Sequence, residues 1–114
     1  MSPALITYGA LVIAIALEVI ATSLLKQSEQ FSRLWPTIGM AAFYVASFYF
    51  LSVALKTLPV GVAYAIWSGI GVVLLAVVGA VAFGQVLDLW AILGMGLIVA
   101  GVAVINLMSS SVPH

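Results

Sequence analysis

Four long apolar runs, separated by short polar stretches, make up almost the whole chain. Each run has about 20 residues, enough at roughly 1.5 Å per residue to cross the hydrocarbon core of a bilayer, about 30 Å thick. We predict helices rather than strands, because a strand would leave its backbone polar groups unsatisfied in lipid and no apolar–polar alternation is visible. The predicted helices cover residues 4–25, 34–55, 62–83 and 89–108.

The connections between the predicted helices are short. They cover residues 26–33, 56–61 and 84–88. Short connections make successive helices antiparallel. Asp88 is well placed to cap the start of helix four. Trp35 and Trp90 fall at helix starts, where aromatic residues anchor a helix at the membrane surface. We therefore predict an all-α integral membrane protein that consists of a single four-helix transmembrane domain over residues 1–114.

The composition supports a membrane protein and excludes several functions. Hydrophobic residues account for 66% of the chain and charged residues for 5%, whereas a soluble domain carries about 25% charged residues. A formal net charge of zero gives no reason to expect nucleic acid as a partner. Without cysteine, a metal-ligand cluster or a phosphate-binding loop, we expect no cofactor and no direct use of ATP. The only histidine is His114, so no nucleophile–base pair supports an enzyme.

Glu18 is the residue that most directly suggests a function. It is the only formal charge between Ser2 and Lys26, inside the first predicted helix. A carboxylate within a membrane span costs about 3 kcal/mol or more, so it is a functional-site candidate by default. A buried acid without a fixed cationic partner can be neutralised either by a proton or by a cationic ligand. That choice is the basis of a proton-coupled exporter.

Helical spacing surrounds Glu18 with candidate binding residues, which are apolar, small, hydroxyl-bearing or aromatic. On its own helix they are Leu11, Ala14, Ile15 and Thr22; helix two offers Tyr44, Ser47 and Phe48; helix three offers Tyr64 and Trp67. The face of an aromatic ring attracts a cation by about 0.5–2 kcal/mol, so an acid facing such rings suits a hydrophobic cation. The alternative is that the aromatic residues only pack or anchor the helices, and that Phe48 is ordinary core.

Glycines in the last two predicted helices allow two interpretations. Gly69 and Gly71 lie mid-way along helix three, where they could serve close packing or act as a bend point for alternating access. Helix four carries a stripe of small and apolar residues, comprising Gly94, Leu97, Ile98 and Gly101. Four thin helices can hardly enclose a cavity for a drug-sized molecule. A dimer interface is therefore the better interpretation of this stripe than packing within one chain.

Several motifs together resemble one known family. They are the stretch from Ala16 to Lys26 around Glu18, the Phe31–Pro36 segment, the Pro59–Gly71 segment and the Gly84–Asp88 connection. Any one of them would be weak, but the similarity extends over nearly the whole chain. In these motifs the chain resembles the small multidrug resistance family.

The resemblance implies an antiparallel, dual-topology homodimer in the bacterial cytoplasmic (inner) membrane. It implies exchange of protons for hydrophobic and quaternary-ammonium cations, both competing for Glu18, and multidrug efflux as the outcome. Ring contacts would come from Tyr44, Tyr64 and Trp67, and Val102 would join the helix-four stripe. A sister branch that exports guanidinium usually has a tryptophan in the region that reads Ala21-Thr22 here, which favours the multidrug branch.

The charges at the helix ends agree with dual topology. Lys26 and Arg33 lie on one side of the predicted helices, and Lys56 with the N-terminal amine lies on the other. Lysine and arginine bias sets membrane orientation, and this distribution favours neither strongly. Two alternatives stay open: a guanidinium exporter of the same family, and a non-transporting proton-carrying or structural membrane subunit. Cation binding by the solubilised protein would distinguish either kind of transporter from a non-transporting subunit.

Overall fold

The four predicted helices are present in the computed structural model, which describes residues 2–110. They are α1 (Pro3–Gln27), α2 (Leu34–Ala54), α3 (Val60–Ala82) and α4 (Leu89–Met108). All four are long and apolar enough to span a membrane, and the described residues include no strand. The protein is therefore an all-helical, multi-pass membrane protein. His114 lies outside the described residues.

Local side chains cap the starts of α1 and α4. The Leu5 N–H donates to Ser2 Oγ over 3.1 Å, and Pro3 follows the cap at a position where its missing N–H does no harm. At α4 the Ala91 N–H donates to Asp88 Oδ1 over 2.9 Å. The predicted capping role of Asp88 is thus confirmed.

An unusual left-handed turn joins α1 to α2. Three successive residues have positive φ values of 49°, 64° and 65°, namely Glu29, Gln30 and Phe31. Ser28, which is fully buried, holds this turn. Its carbonyl accepts from the Ser32 N–H at 2.9 Å, and its hydroxyl accepts from the Phe31 N–H at 3.2 Å. These bonds satisfy backbone groups where the helical pattern has ended.

The described chain divides into two compact units, one ending at Lys56 and the other beginning at Thr57. In the first unit α1 packs against α2, and in the second α3 packs against α4. Each unit is one helical hairpin with a short connection.

Two side-chain hydrogen bonds fix the first hairpin. Thr22 of α1 contacts Tyr44 of α2, and Ser47 Oγ of α2 donates to the Ala14 carbonyl of α1. Residue numbers rise along α2 between these bonds and fall along α1, so the two helices are antiparallel. Ser47 is fully buried, which gives its hydrogen bond the strength of a contact shielded from water.

A glycine brings α3 and α4 into close contact in the second hairpin. A Cβ atom added at Gly69 would lie 2.6 Å from Val102 Cγ2, closer than real side chains approach. Small residues allow such an approach between membrane helices. This contact supports the close-packing interpretation of Gly69. The bend-point interpretation of Gly69 and Gly71 stays a prediction, and α3 continues through both as one helix.

Gly69→Ala should destabilise the protein by about 1–3 kcal/mol, because the added methyl group overpacks the contact with Val102. Thermal unfolding in detergent measures the effect. A second substitution, Val102→Ala, should recover much of the loss by making room. Gly61→Ala is the matched control, since nothing lies within 4 Å of a Cβ atom there. Equal stability of Gly69→Ala and the wild type would contradict this account of the packing.

Candidate functional site

Glu18 lies half-buried in the interior of α1, with its two carboxylate oxygens in different environments. Oε1 accepts a hydrogen bond from Thr22 Oγ1 at 2.7 Å, one helical turn further on. Oε2 is buried and has no hydrogen-bond partner among the described residues. A buried charged oxygen left without a donor is costly, so this atom is the candidate site for a proton or a cation.

An aromatic side chain from α2 contacts the threonine that is hydrogen-bonded to Glu18. Tyr44 OH lies 2.8 Å from Thr22 Oγ1. The Tyr44 ring stacks on Phe48 with 6.3 Å between ring centroids and 18° between ring planes. We call Glu18, Thr22, Tyr44 and Phe48 the Glu18 cluster. The structure thus brings four of the predicted site residues together within one hairpin.

The other candidate binding residues of the first hairpin are buried. Leu11, Ala14 and Ile15 are almost completely buried. Ser47 donates its only hydroxyl proton to the Ala14 carbonyl over 2.7 Å. That carbonyl lies one turn before Glu18, whereas the Thr22–Tyr44 bond lies one turn after it. Hydrogen bonds between α1 and α2 therefore flank the carboxylate on both sides.

Tyr64 and Trp67 form a second aromatic pair in the other unit. Their rings stack with 5.9 Å between centroids and 20° between planes. Trp67 lies two residues before Gly69, roughly 200° around α3, so the pair occupies a different face from the one that meets Val102. Tyr64 is exposed and Trp67 is half-buried.

The predicted stripe on α4 consists of exposed and half-buried residues. None of the residues of α4 is buried, and 68% of the Leu97 surface is exposed. Val102 differs from the rest of the stripe, because it packs on Gly69 of the same chain. Its assignment to a dimer interface, like those of Gly94, Ile98 and Gly101, stays a prediction.

The sequence did not indicate how the cluster is bonded. The spacing of four residues put Thr22 on the Glu18 face, and that spacing also permits a hydroxyl–carboxylate hydrogen bond. No sequence signal links Thr22 to Tyr44, since the two are 22 residues apart on different helices.

Comparison with known proteins identifies the family to which the chain belongs. A family profile described as Small Multidrug Resistance protein matches residues 6–98. The chain belongs to the small multidrug resistance family. It is 55% identical over 104 residues to the quaternary ammonium compound-resistance protein QacF of Klebsiella aerogenes, covering 91% of this chain and 94% of that protein.

Two further family members show the same degree of similarity. Quaternary ammonium compound-resistance protein QacE of Escherichia coli is 55% identical over 104 residues, with 91% of this chain and 94% of that protein covered. Multidrug transporter EmrE of Escherichia coli (strain K12) is 55% identical over 101 residues, with 89% and 92% covered. These small multidrug resistance relatives are named as transporters or resistance proteins and not as enzymes, as the sequence predicted.

Proposed function

We propose that this protein exports hydrophobic and quaternary-ammonium cations in exchange for protons across the bacterial cytoplasmic (inner) membrane. The observation that carries the proposal is Glu18, an acid within a membrane span that keeps one buried oxygen without a hydrogen-bond partner in residues 2–110. Membership of the small multidrug resistance family and the names of QacF, QacE and EmrE support the substrate class.

The mechanism follows from competition at one carboxylate. An ionised Glu18 attracts an organic cation electrostatically, and protonation removes the charge that attracts it. Proton and cation therefore exclude each other. If the carboxylate is exposed alternately to the two sides of the membrane, protons entering on one side are exchanged for cations leaving on the other.

Aromatic rings give this site its tolerance for different cations. Tyr44 and Phe48 present a stacked pair beside Thr22, the partner of Glu18, and Tyr64 and Trp67 present another on α3. Ring faces attract cations without requiring hydrogen-bond donors, so they accept quaternary ammonium groups. We propose that both pairs contact the transported cation.

An antiparallel homodimer is the proposed working form. Its support is the stripe of α4, in which Leu97, Ile98 and Gly101 are exposed and Gly94 is half-buried. Small residues in such a stripe let two helices approach closely. An inverted pair of chains would bring two Glu18 carboxylates to one central site. Gly69 and Gly71 are the proposed bend point of α3 during the exchange.

Transport into proteoliposomes tests the function directly. Vesicles with an acidic interior should accumulate tetraphenylphosphonium as protons leave, and a protonophore should abolish the accumulation. Protein-free vesicles correct for passive entry. Accumulation of guanidinium in place of tetraphenylphosphonium would instead favour the guanidinium exporter. Accumulation of neither cation would favour a non-transporting subunit.

Trp67 should contribute through its ring face. We expect Trp67→Leu to weaken cation binding by up to about 2 kcal/mol, roughly 30-fold, and Trp67→Phe to weaken it less, because phenylalanine retains a smaller ring. Titration of the detergent-solubilised protein measures the affinities. Trp90→Leu is a matched control, since Trp90 is exposed at the start of α4. Wild-type affinity in both Trp67 variants would remove this residue from the site.

A further inference from the structure

A groove lies on the surface of the first hairpin, between the N-terminal half of α1 and the C-terminal half of α2. Its volume is about 300 Å³, and the residues that line it are aliphatic, aromatic or glycine. They include Leu5, Ile6, Gly9 and Ile13 of α1, and Tyr49 and Val53 of α2. Gly9 keeps the groove open, because nothing lies within 4 Å of a Cβ atom placed there.

This groove is separate from the Glu18 cluster. Gly9 lies nine residues before Glu18, which places it on the opposite side of α1 at about 100° per residue. No charged side chain lines the groove, so it offers an organic cation no charge to bind. An uncharged hydrocarbon chain suits it better than the transported cation does.

The depth of the groove matches one leaflet of a bilayer. From Leu5 to Ile13, α1 advances by about 12 Å at roughly 1.5 Å per residue. Half of a hydrocarbon core about 30 Å thick is about 15 Å. Leu5 belongs to the first turn of α1, so the groove begins close to one end of the membrane span. A lipid acyl chain in that leaflet can therefore lie along the groove over most of the leaflet.

A lysine lies just beyond the same end of the groove. Lys56 follows the groove residue Val53 by three positions, and its N–H donates to the Val53 carbonyl over 3.3 Å. Lys56 is exposed, and the acids nearest to it in the sequence are Glu29 and Asp88. Its long apolar stem lets the ammonium group stay at the membrane surface. The charge beside the groove therefore complements an anionic headgroup.

We propose that the first hairpin binds an anionic phospholipid, with one acyl chain in the groove and the phosphate beside Lys56. A zwitterionic phospholipid can also place a chain in the groove, but the cation of its own headgroup offsets the attraction to Lys56. The proposal does not depend on transport, because it concerns the side of α1 opposite Glu18 and involves neither a proton nor an organic cation.

Native mass spectrometry of the detergent-solubilised protein tests the role of the headgroup. The probes are phosphatidylglycerol and phosphatidylcholine with identical acyl chains, and the measured quantity is the ratio of their dissociation constants. The wild type should prefer phosphatidylglycerol. Lys56→Gln should lower this preference about fivefold, as expected for one lysine near an anionic membrane surface. Arg33→Gln, which removes an exposed cation of the first connection, is the matched control and should keep the preference.

Filling the groove tests the role of the acyl chain. Gly9→Leu should weaken the binding of both lipids about tenfold, as expected when about two methylene groups lose their contact. Val12→Phe is the matched control, because it adds bulk at an exposed position of α1 at a similar depth. It should bind both lipids as the wild type does.

Two results would overturn the proposal. One is an unchanged lipid preference in Lys56→Gln, which alters an exposed side chain and keeps the test decisive even if Gly9→Leu fails to fold. The other is a folded Gly9→Leu variant with unchanged lipid affinities. If that variant also dissociates from dimer to monomer in the same spectra, the occupant of the groove is a second copy of the chain and not a lipid.

Discussion

Glu18→Gln should abolish cation binding and proton-coupled transport together, while the protein still folds. Glutamine keeps the size of the side chain and can still accept from Thr22 through its amide oxygen, but it carries no charge and takes up no proton. Affinity should fall by at least about 100-fold, since the electrostatic attraction at a desolvated site is lost. Isothermal titration in weakly buffered solution measures both cation binding and the protons released.

The pH dependence of the wild type follows from the same competition. Protonation removes the binding charge, so cation affinity should rise with pH and reach a plateau once Glu18 is ionised. Glu18→Asp should keep binding with a shifted midpoint. Glu29→Gln, an exposed acid in the first connection, is the matched control and should behave as the wild type. Undiminished transport by Glu18→Gln would defeat the mechanism.

Arginines added to the connection between α3 and α4 should fix the chain in one orientation and abolish transport when that form is expressed alone. Val86 and Leu87 are suitable positions, because 92% of the Val86 surface is exposed. Gln85 and Asp88 should be left intact, since Gln85 packs on Gly79 and Asp88 caps α4. The added charges would outweigh the weak orientation bias of the present lysines and arginines. Because all chains would then have the same orientation, only parallel dimers could form.

Co-expression provides the control for this result. A variant with arginines added beside Lys56, in the second connection, should take the opposite orientation and restore transport when both are present. Resistance of cells to a quaternary ammonium compound measures the outcome. Glutamates at positions 86 and 87 should change little, because acidic residues contribute little to orientation. Full activity from one strongly biased form alone would contradict the antiparallel dimer.

The elements that the sequence predicted correctly depend on contacts between near neighbours. The four helices follow from unbroken apolar runs of sufficient length, since lipid leaves the backbone no other way to satisfy its polar groups. Capping by Asp88 depends on a residue three positions away. The sequence identified Glu18 as a candidate because a charged side chain within a membrane span is costly whichever way it points.

The contacts between helices could not be predicted from the sequence in the same way. A membrane helix is apolar on all sides, so it lacks the polar face that shows which side of a soluble helix is buried. The sequence therefore did not indicate that Val102 faces Gly69, although Gly69 was noted as a mid-helix glycine and Val102 through the family resemblance. Nor did it indicate that the Ser47 hydroxyl would be used by the Ala14 carbonyl.

The sequence by itself determined that the protein has four helices able to span a membrane and that Glu18 is its chemically distinctive residue. Only the tertiary structure decided that Oε1 of Glu18 accepts from Thr22, that Oε2 has no hydrogen-bond partner among residues 2–110, and that Thr22 contacts Tyr44. Those facts depend on the rotation and register of α2 against α1, which bring Tyr44 within 2.8 Å of Thr22. A hydrogen bond depends on distances of a few tenths of an ångström, and no local pattern in the sequence specifies them.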